Sequence, residues 1–226
     1  MVSGGSLEQS LSLERFSRYL AWAGGDRTRA IALYTLNAKL SESLYIPLQM
    51  LEVALRNRIH AVMTEARHEQ WFHDAGVLQG KWQTDQLAKA IEDIRGEGRE
   101  PMPGRVVAAL TFSFWTAMFG REYETLWQTT LHRVASRPDG KGLRRKDFSG
   151  PLAPIRALRN RIAHHEPILQ WDLPKHYNNV VKLIGWLSSP AAEWCTAHSR
   201  FPEVYPREPI ILDLDRDGDP DGAPRR

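Results

Sequence analysis

The sequence has little cysteine: Cys195 is the only one among 226 residues. A single cysteine can form no internal disulfide, and it cannot supply a zinc site built from several thiolates. This scarcity is typical of proteins that function in a reducing compartment, so we expect a cytoplasmic location. The chain also has no apolar run close to the roughly 20 residues that a membrane-spanning helix requires. We therefore expect no membrane partner.

The first residues do not have the pattern of a secretory signal peptide. Residues 1–6 (MVSGGS) contain neither a basic start nor an apolar segment. We therefore expect no signal peptide in this sequence.

Charge of one sign does not dominate either, since the formal net charge is +3. Residues 213–226 contain five Asp and three Arg, which contribute −2, so the other 212 residues carry +5. A modestly basic body with an acidic tail is compatible with a polyanionic partner, although many cytosolic proteins are as basic.

Apolar residues recur at spacings of three and four residues along most of the chain, which predicts helices. We expect Ser12 to cap a first helix that stops at Gly24, and Asp26 to cap a second. A third helix is expected near Ser41, with Pro47 tolerated in its opening turns. No convincing alternating pattern precedes Pro209, so strands are not expected before that residue.

The second half of the chain shows the same helical pattern. One helix is predicted from Thr84 to Gly96, and apolar residues then continue at helical spacing over residues 106–118. Residues 137–150 are interpreted as a loop, after which Pro151 or Pro154 opens the next helix. The prediction is an all-α bundle over residues 1–208, followed by a flexible acidic tail over residues 209–226.

The helix that follows this loop ends in a segment suited to phosphodiester chemistry. Arg159, Asn160 and His164 supply a fixed cation, an amide and an imidazole within six positions. Cleaving RNA without a metal requires a base for the 2′-hydroxyl, an acid for the leaving oxygen and positive charge on the phosphorane. Imidazole transfers protons near neutral pH, and guanidinium binds phosphate oxygens with a planar fork.

The spacing of this motif requires a break in the helix. Arg159 and His164 are five positions apart, about 140° around an ideal helix, so they do not share a face. Pro167 disfavours helical geometry at Glu166, so we expect the helix to fray and His164 to turn toward Arg159. The alternative is that these are solvated residues of a basic helix end.

Several blocks of the sequence resemble one known family. The segment Leu158–Ile168 resembles the Arg-Asn-x-x-x-His signature of HEPN domains, in the form found in bacterial abortive-infection proteins of the Abi-like (AbiD/AbiF) group. The segments Leu40–Leu48, Leu51–Ile59 and Ser113–Phe119 resemble further parts of that group, in the same order. The resemblance covers about residues 30–190, and the tail after Pro209 has no counterpart in it.

The resemblance implies an HEPN-like helical bundle with extra helices, acting as a metal-independent endoribonuclease in phage defence or as a toxin. It implies a homodimer whose sites combine two copies of the motif, with Arg159 on the scissile phosphate, His164 in proton transfer and Asn160 fixing the geometry. It also makes Glu52 a candidate for orienting the catalytic arginine. The alternative for Glu52 is an ion pair with Arg56, four positions later on the same helix.

Other residues are predicted to bind RNA or to support the site. Arg56 and His60 form a near-copy of the motif, which leaves a second catalytic element as a minor alternative. The phosphate backbone is expected to contact a group of basic residues through sequence-independent interactions. The predicted RNA-binding residues are Arg56, Lys141, Arg144, Arg145, Lys146, Arg156, Arg161 and His165.

No cofactor or metal is expected. Residues 213–219 copy the first half of an EF-hand calcium loop, but the twelfth position, which needs a bidentate Glu, is Pro224. Two rival functions remain open: a non-catalytic RNA-binding protein, and a toxin that a small RNA or an antitoxin holds inactive.

Overall fold

The structure, a computed structural model, describes residues 11 and 13–213. The regular elements of these residues are all helices, with no strand among them, which confirms the all-α prediction. The predicted cap at Ser12 and the tail residues after Asp213, including most of the calcium-like segment, lie outside the described residues.

The described residues divide into two compact units. The first contains the residues up to Tyr45, then Arg161–Leu173 and the residues from Ser199 onward, and the second contains Ile46–Asn160 and Pro174–His198. The single helical domain predicted for residues 1–208 stays a prediction.

The helices are numbered here in chain order. They are α1 (Leu13–Trp22), α2 (Arg27–Ser43), α3 (Tyr45–Ala66), α4 (Lys81–Gly96), α5 (Pro103–Ala109), α6 (Phe112–Ala117), α7 (Glu124–Thr129), α8 (Arg145–Ala163), α9 (Leu173–Leu187), α10 (Ser189–His198) and α11 (Phe201–Val204). Short 3₁₀ turns cover Trp71–His73, Arg121–Tyr123 and Leu131–Val134.

The first unit is built around α1 and α2, whose boundaries follow the local sequence signals. Gly24 and Gly25 have φ values of 62° and 84°, which stop α1 where predicted. Asp26 caps α2 as expected, because its carboxylate accepts the backbone N–H groups of Thr28 (2.8 Å) and Arg29 (3.1 Å). Helix α11 also packs against α2.

The start of the third helix differs from the prediction. Ser41 lies inside α2, and α3 begins at Tyr45 after the single residue Leu44, whose backbone remains in the helical region. The Ser43 hydroxyl donates to the carbonyl of Leu40 (2.8 Å), which satisfies this buried side chain within the helix. Pro47 occupies the third position of α3, where a missing N–H costs nothing, as expected.

Two further helix boundaries in the second unit also differ. Helix α4 begins at Lys81 instead of Thr84, directly after Gly80, whose φ of 93° is open mainly to glycine. The apolar pattern over residues 106–118 is divided between α5 and α6, because Leu110 is extended and Thr111 caps α6 by accepting the Phe114 N–H. The buried Trp115 indole donates to the carbonyl of Leu110 (3.3 Å) and so stabilises the break.

Helix α8 starts earlier than the prolines suggested. It begins at Arg145, so Pro151 and Pro154 lie within it and each removes one backbone hydrogen bond. The first turn is held by long-range contacts of Arg145, whose buried guanidinium binds the Glu124 carboxylate (2.6 Å) and the Phe119 carbonyl (2.6 Å). These contacts explain why residues 145–150 are helical instead of forming a loop.

The core of the second unit is aromatic. Trp71 and Trp115 are fully buried with ring centroids 6.4 Å apart, and Phe119 stacks on Phe148 at 4.9 Å. Cys195 is buried as well, and burial raises the pKa of its thiol to about 11.

Within the described part of the chain, none of the helices is long and apolar enough to cross a lipid bilayer.

Candidate active site

Helices α3 and α8 bring two of the predicted site residues together in the second unit. The Arg159 guanidinium lies 3.2 Å from the Glu52 carboxylate, across 107 positions of sequence. Buried leucines beside each residue, Leu51 and Leu55 on α3 and Leu158 on α8, fix the two helices in the core. The side chain of Arg159 is 36% exposed and that of Glu52 is 21% exposed, so the pair lies at the edge of the unit.

This contact decides between the two predicted partners of Glu52. Its ion pair is with Arg159, and Arg56 donates instead to the carbonyl of Ala108 (3.4 Å). A guanidinium has five N–H donors in a fixed fork, so one contact with Glu52 orients Arg159 and leaves other donors for a phosphate. That Glu52 serves catalysis in this way stays a prediction.

Arg56 and His60 have separate environments on α3. The indole of Trp71 donates to Nδ1 of His60 (3.0 Å), and burial lowers the pKa of this histidine. One ring nitrogen of His60 is therefore committed to a structural hydrogen bond. Nε of Arg56 is buried and has no hydrogen-bond partner among the described residues. These placements do not favour the second catalytic element, which stays a prediction.

The C-terminal half of the motif lies in the first unit, where α8 ends at Ala163. The backbone N–H of Glu166 donates to the carbonyl of Arg161 (2.8 Å), and that of His165 donates to the carbonyl of Ile162 (3.0 Å). Together with a φ of 57° at His165, these bonds form a Schellman cap. The predicted end of the helix near His164 is confirmed, and it is an ordered turn instead of a frayed one.

Both histidines of this turn are exposed, as proton transfer to a bound RNA would require. The backbone carbonyl of His164 accepts a hydrogen bond from the guanidinium of Arg15 (3.2 Å), which ties the turn to α1. The left-handed conformation of His165 is uncommon for a residue other than glycine. The roles of His164 in catalysis and of His165 in RNA binding stay predictions.

Arg161 is a structural residue of the same turn. Its Nε lies 3.2 Å from the carbonyl oxygen of Pro167 and 3.3 Å from the Glu166 carboxylate, and its guanidinium lies 5.9 Å from the ring centroid of Trp171. The side chain is only 15% exposed. Its Nε therefore binds the chain itself, and the predicted contact of Arg161 with RNA stays a prediction.

The predicted basic segment at the start of α8, residues 141–146, contains residues of two kinds. Lys141 and Lys146 are exposed, and Arg144 is exposed while it pairs with Asp147 (2.8 Å). Arg145, by contrast, is buried in the contacts that begin α8, so its predicted contact with RNA is wrong. Arg156 and Asn160 of α8 are half-buried, and their predicted roles in binding and in fixing the geometry stay predictions.

Three residues near the motif were not predicted from the sequence. They are Arg15, Trp171 and Asn37, whose buried side-chain oxygen accepts the backbone N–H of Ile168 (2.8 Å). Asn37 lies four positions after Leu33 and three before Leu40, on the buried face of α2. A polar residue on an apolar face is a signal that could have identified it.

The described residues contain no group of three or more His, Cys, Asp or Glu side chains that could hold a metal ion.

Comparison of the chain with protein-family models, with curated proteins and with solved structures found no match to any of the three.

Proposed function

We propose that this protein is a metal-independent endoribonuclease of the HEPN type, acting in phage defence or as a toxin. The observation that supports it best is the ion pair between Arg159 and Glu52, which places a carboxylate against the arginine of the Arg-Asn-x-x-x-His motif. A guanidinium oriented in this way, at the edge of a core, is suited to bind a phosphate oxygen.

Each residue of the motif has one task in this reaction. Arg159 binds the scissile phosphate and stabilises the charge of the phosphorane, and His164 transfers a proton. Asn160 fixes the geometry by hydrogen bonding. The 2′-hydroxyl of the substrate is the nucleophile, so the products carry a 2′,3′-cyclic phosphate and a 5′-hydroxyl.

One motif supplies only part of this chemistry. The reaction needs a base and an acid in the same turnover, and one imidazole cannot be both at once. A homodimer with two facing motifs supplies both groups, which is the reason for proposing dimeric sites.

Lys141 and Lys146 are proposed to bind the RNA backbone beyond the cleaved bond. Both side chains are exposed, and contacts between lysine and phosphate depend little on the base sequence of the RNA.

The test uses purified protein and a matched pair of strands, one RNA and one all-DNA, of the same sequence. In excess EDTA we expect the RNA to be cut into fragments with 2′,3′-cyclic phosphate ends and the DNA to stay intact. A His164→Ala protein that is purified by the same procedure controls for contaminating nucleases. The His73→Ala variant, at an exposed histidine of the second unit, controls for the loss of an imidazole. Cleavage that needs added magnesium, or that cuts the DNA at a similar rate, contradicts the proposal.

A further inference from the structure

The turn that carries His164 and His165 is closed by one residue at both the backbone and the side-chain level. The carbonyl of Arg161 accepts the backbone N–H of Glu166 at 2.8 Å, and the guanidinium of Arg161 pairs with the carboxylate of Glu166 at 3.3 Å. The two histidines lie between the ends of this closure, directly after Ile162 and Ala163. Their backbone is therefore enclosed by two contacts that both depend on residue 161.

The guanidinium also extends the closure to the segment that follows. Its Nε–H donates to the carbonyl of Pro167 (3.2 Å), the same nitrogen forms the ion pair with Glu166, and the guanidinium lies 5.9 Å from the ring centroid of Trp171. Lysine has a single ammonium group on a flexible stem and cannot reproduce the planar guanidinium that makes these contacts together. The site therefore requires arginine by its shape as well as by its charge.

Two contacts from neighbouring helices hold the rest of this segment. Arg15 of α1 binds the carbonyl of His164, and the buried Asn37 of α2 binds the backbone N–H of Ile168. The turn is thus anchored just before and just after the residues that Arg161 binds. An arginine that is 15% exposed and surrounded by such contacts has little freedom to reach a substrate.

We propose that Arg161 is a positioning residue, which holds the backbone of His164 in the geometry required for proton transfer. The proposal rests on the proposed function, because it assigns to Arg161 an effect that acts through His164. A displacement of about 1 Å at a reacting group can lower a rate by about 100-fold. Arg161 therefore affects the rate of cleavage more than the affinity for RNA.

The experiment compares Arg161→Gln, Arg161→Lys and Glu166→Gln with wild type. The matched control is Arg58→Gln, because the Arg58 guanidinium also binds backbone carbonyls, those of Val134 (3.2 Å) and Arg133 (3.1 Å), at a place outside the turn. Cleavage at saturating RNA gives kcat, and titration with an uncleavable 2′-O-methyl strand of the same sequence gives Kd.

For Arg161→Gln we expect kcat to fall by about 10- to 100-fold while Kd changes by less than about 3-fold. Arg161→Lys keeps the charge but loses the Nε–H bond to the Pro167 carbonyl and should give an intermediate kcat, as should Glu166→Gln. Arg58→Gln should lose stability but keep kcat for its folded fraction. An unchanged kcat in folded Arg161→Gln contradicts the proposal, and so does a loss confined to Kd, which would make Arg161 a contact for RNA.

A second readout separates this proposal from the proposed function. In Arg161→Gln the amide hydrogens of His165 and Glu166 should exchange faster, and the imidazole signals of His164 should shift in NMR spectra. If wild type cuts no RNA and these changes occur, the nuclease proposal fails while Arg161 still positions the turn. Unchanged exchange and unchanged imidazole signals overturn the positioning role whatever the activity. Should Arg161→Gln fail to fold, the Lys and Glu166→Gln proteins provide the same readouts.

Discussion

At the scale of single residues, the ion pair between Glu52 and Arg159 should contribute little to the stability of the fold and more to the rate of cleavage. The side chains are partly exposed, so the ion pair stabilises the fold by about 1 kcal/mol or less. For Glu52→Gln we therefore expect a small change in the free energy of unfolding and a fall in kcat of about tenfold or more, since Arg159 loses its orientation. Glu65→Gln, which removes the partner of Arg133 on the surface, is the control. A kcat that stays at the wild-type value for Glu52→Gln would show that the pair is only structural.

The left-handed backbone of His165 leads us to a second prediction, on how substitutions at this position change the free energy of unfolding. Glycine adopts this conformation without the cost of roughly 1 kcal/mol or more that a side chain pays, and it is the preferred residue at this position of a Schellman cap. We expect His165→Gly to raise the free energy of unfolding by about 0.5–1 kcal/mol, and His165→Val to lower it by about 1–2 kcal/mol. Urea denaturation of the two variants checks this. A His165→Gly variant that is less stable than wild type would contradict the Schellman cap at this position.

At the scale of elements, two adjacent residues at the start of α8, Arg145 and Lys146, should differ in how much each contributes to stability. Arg145→Gln leaves the buried carbonyl of Phe119 without its donor, which should cost about 1–3 kcal/mol of stability. Lys146→Gln removes an exposed charge and should change stability by no more than about 0.5 kcal/mol, while lowering the salt dependence of RNA binding. Denaturation curves and Kd values at several salt concentrations separate the two. Equal stabilities would refute the structural role of Arg145.

Elements defined by local signals could be predicted from the sequence. Gly24 and Asp26 mark helix ends because a glycine backbone or a capping carboxylate acts on its near neighbours. Boundaries that depend on distant contacts could not be predicted, as at Arg145, which is helical because of Glu124, 21 positions earlier. A periodic pattern alone also does not reveal the break at Leu110, which the indole of Trp115 stabilises.

Some features of the candidate site could likewise be predicted from the sequence, and others could not. The motif itself and the end of its helix near His164 follow from residue types and from Pro167. The pairing of Glu52 with Arg159 joins residues 107 positions apart, and spacing on α3 favoured Arg56 as strongly. The position of Arg161 could not be predicted, because an arginine in a basic motif resembles an RNA contact until Trp171 and Glu166 are seen around it.

At the scale of the whole molecule, the proposed chemistry predicts a homodimer. Light scattering coupled to size exclusion should give about twice the mass of the 25.8 kDa chain under conditions in which RNA is cut. Adding an excess of His164→Ala protein to wild type should lower the activity below that of the same amount of wild type alone, because each mixed dimer contains only one of the two imidazoles. A fully active monomer would contradict the dimeric site.

His164 is proposed to transfer a proton during cleavage and not merely to bind RNA. The most direct test of this role is single-turnover cleavage in EDTA, measured together with the Kd for a 2′-O-methyl strand, for wild type, His164→Ala and His73→Ala. We expect His164→Ala to lower the cleavage rate by about 10²–10⁴-fold with a Kd within a few fold of wild type, because proton transfer is lost while the cations remain. His73→Ala should match wild type in both. If His164→Ala abolishes binding yet cleaves at the wild-type rate once RNA is bound, His164 is a binding residue and the catalytic account is wrong.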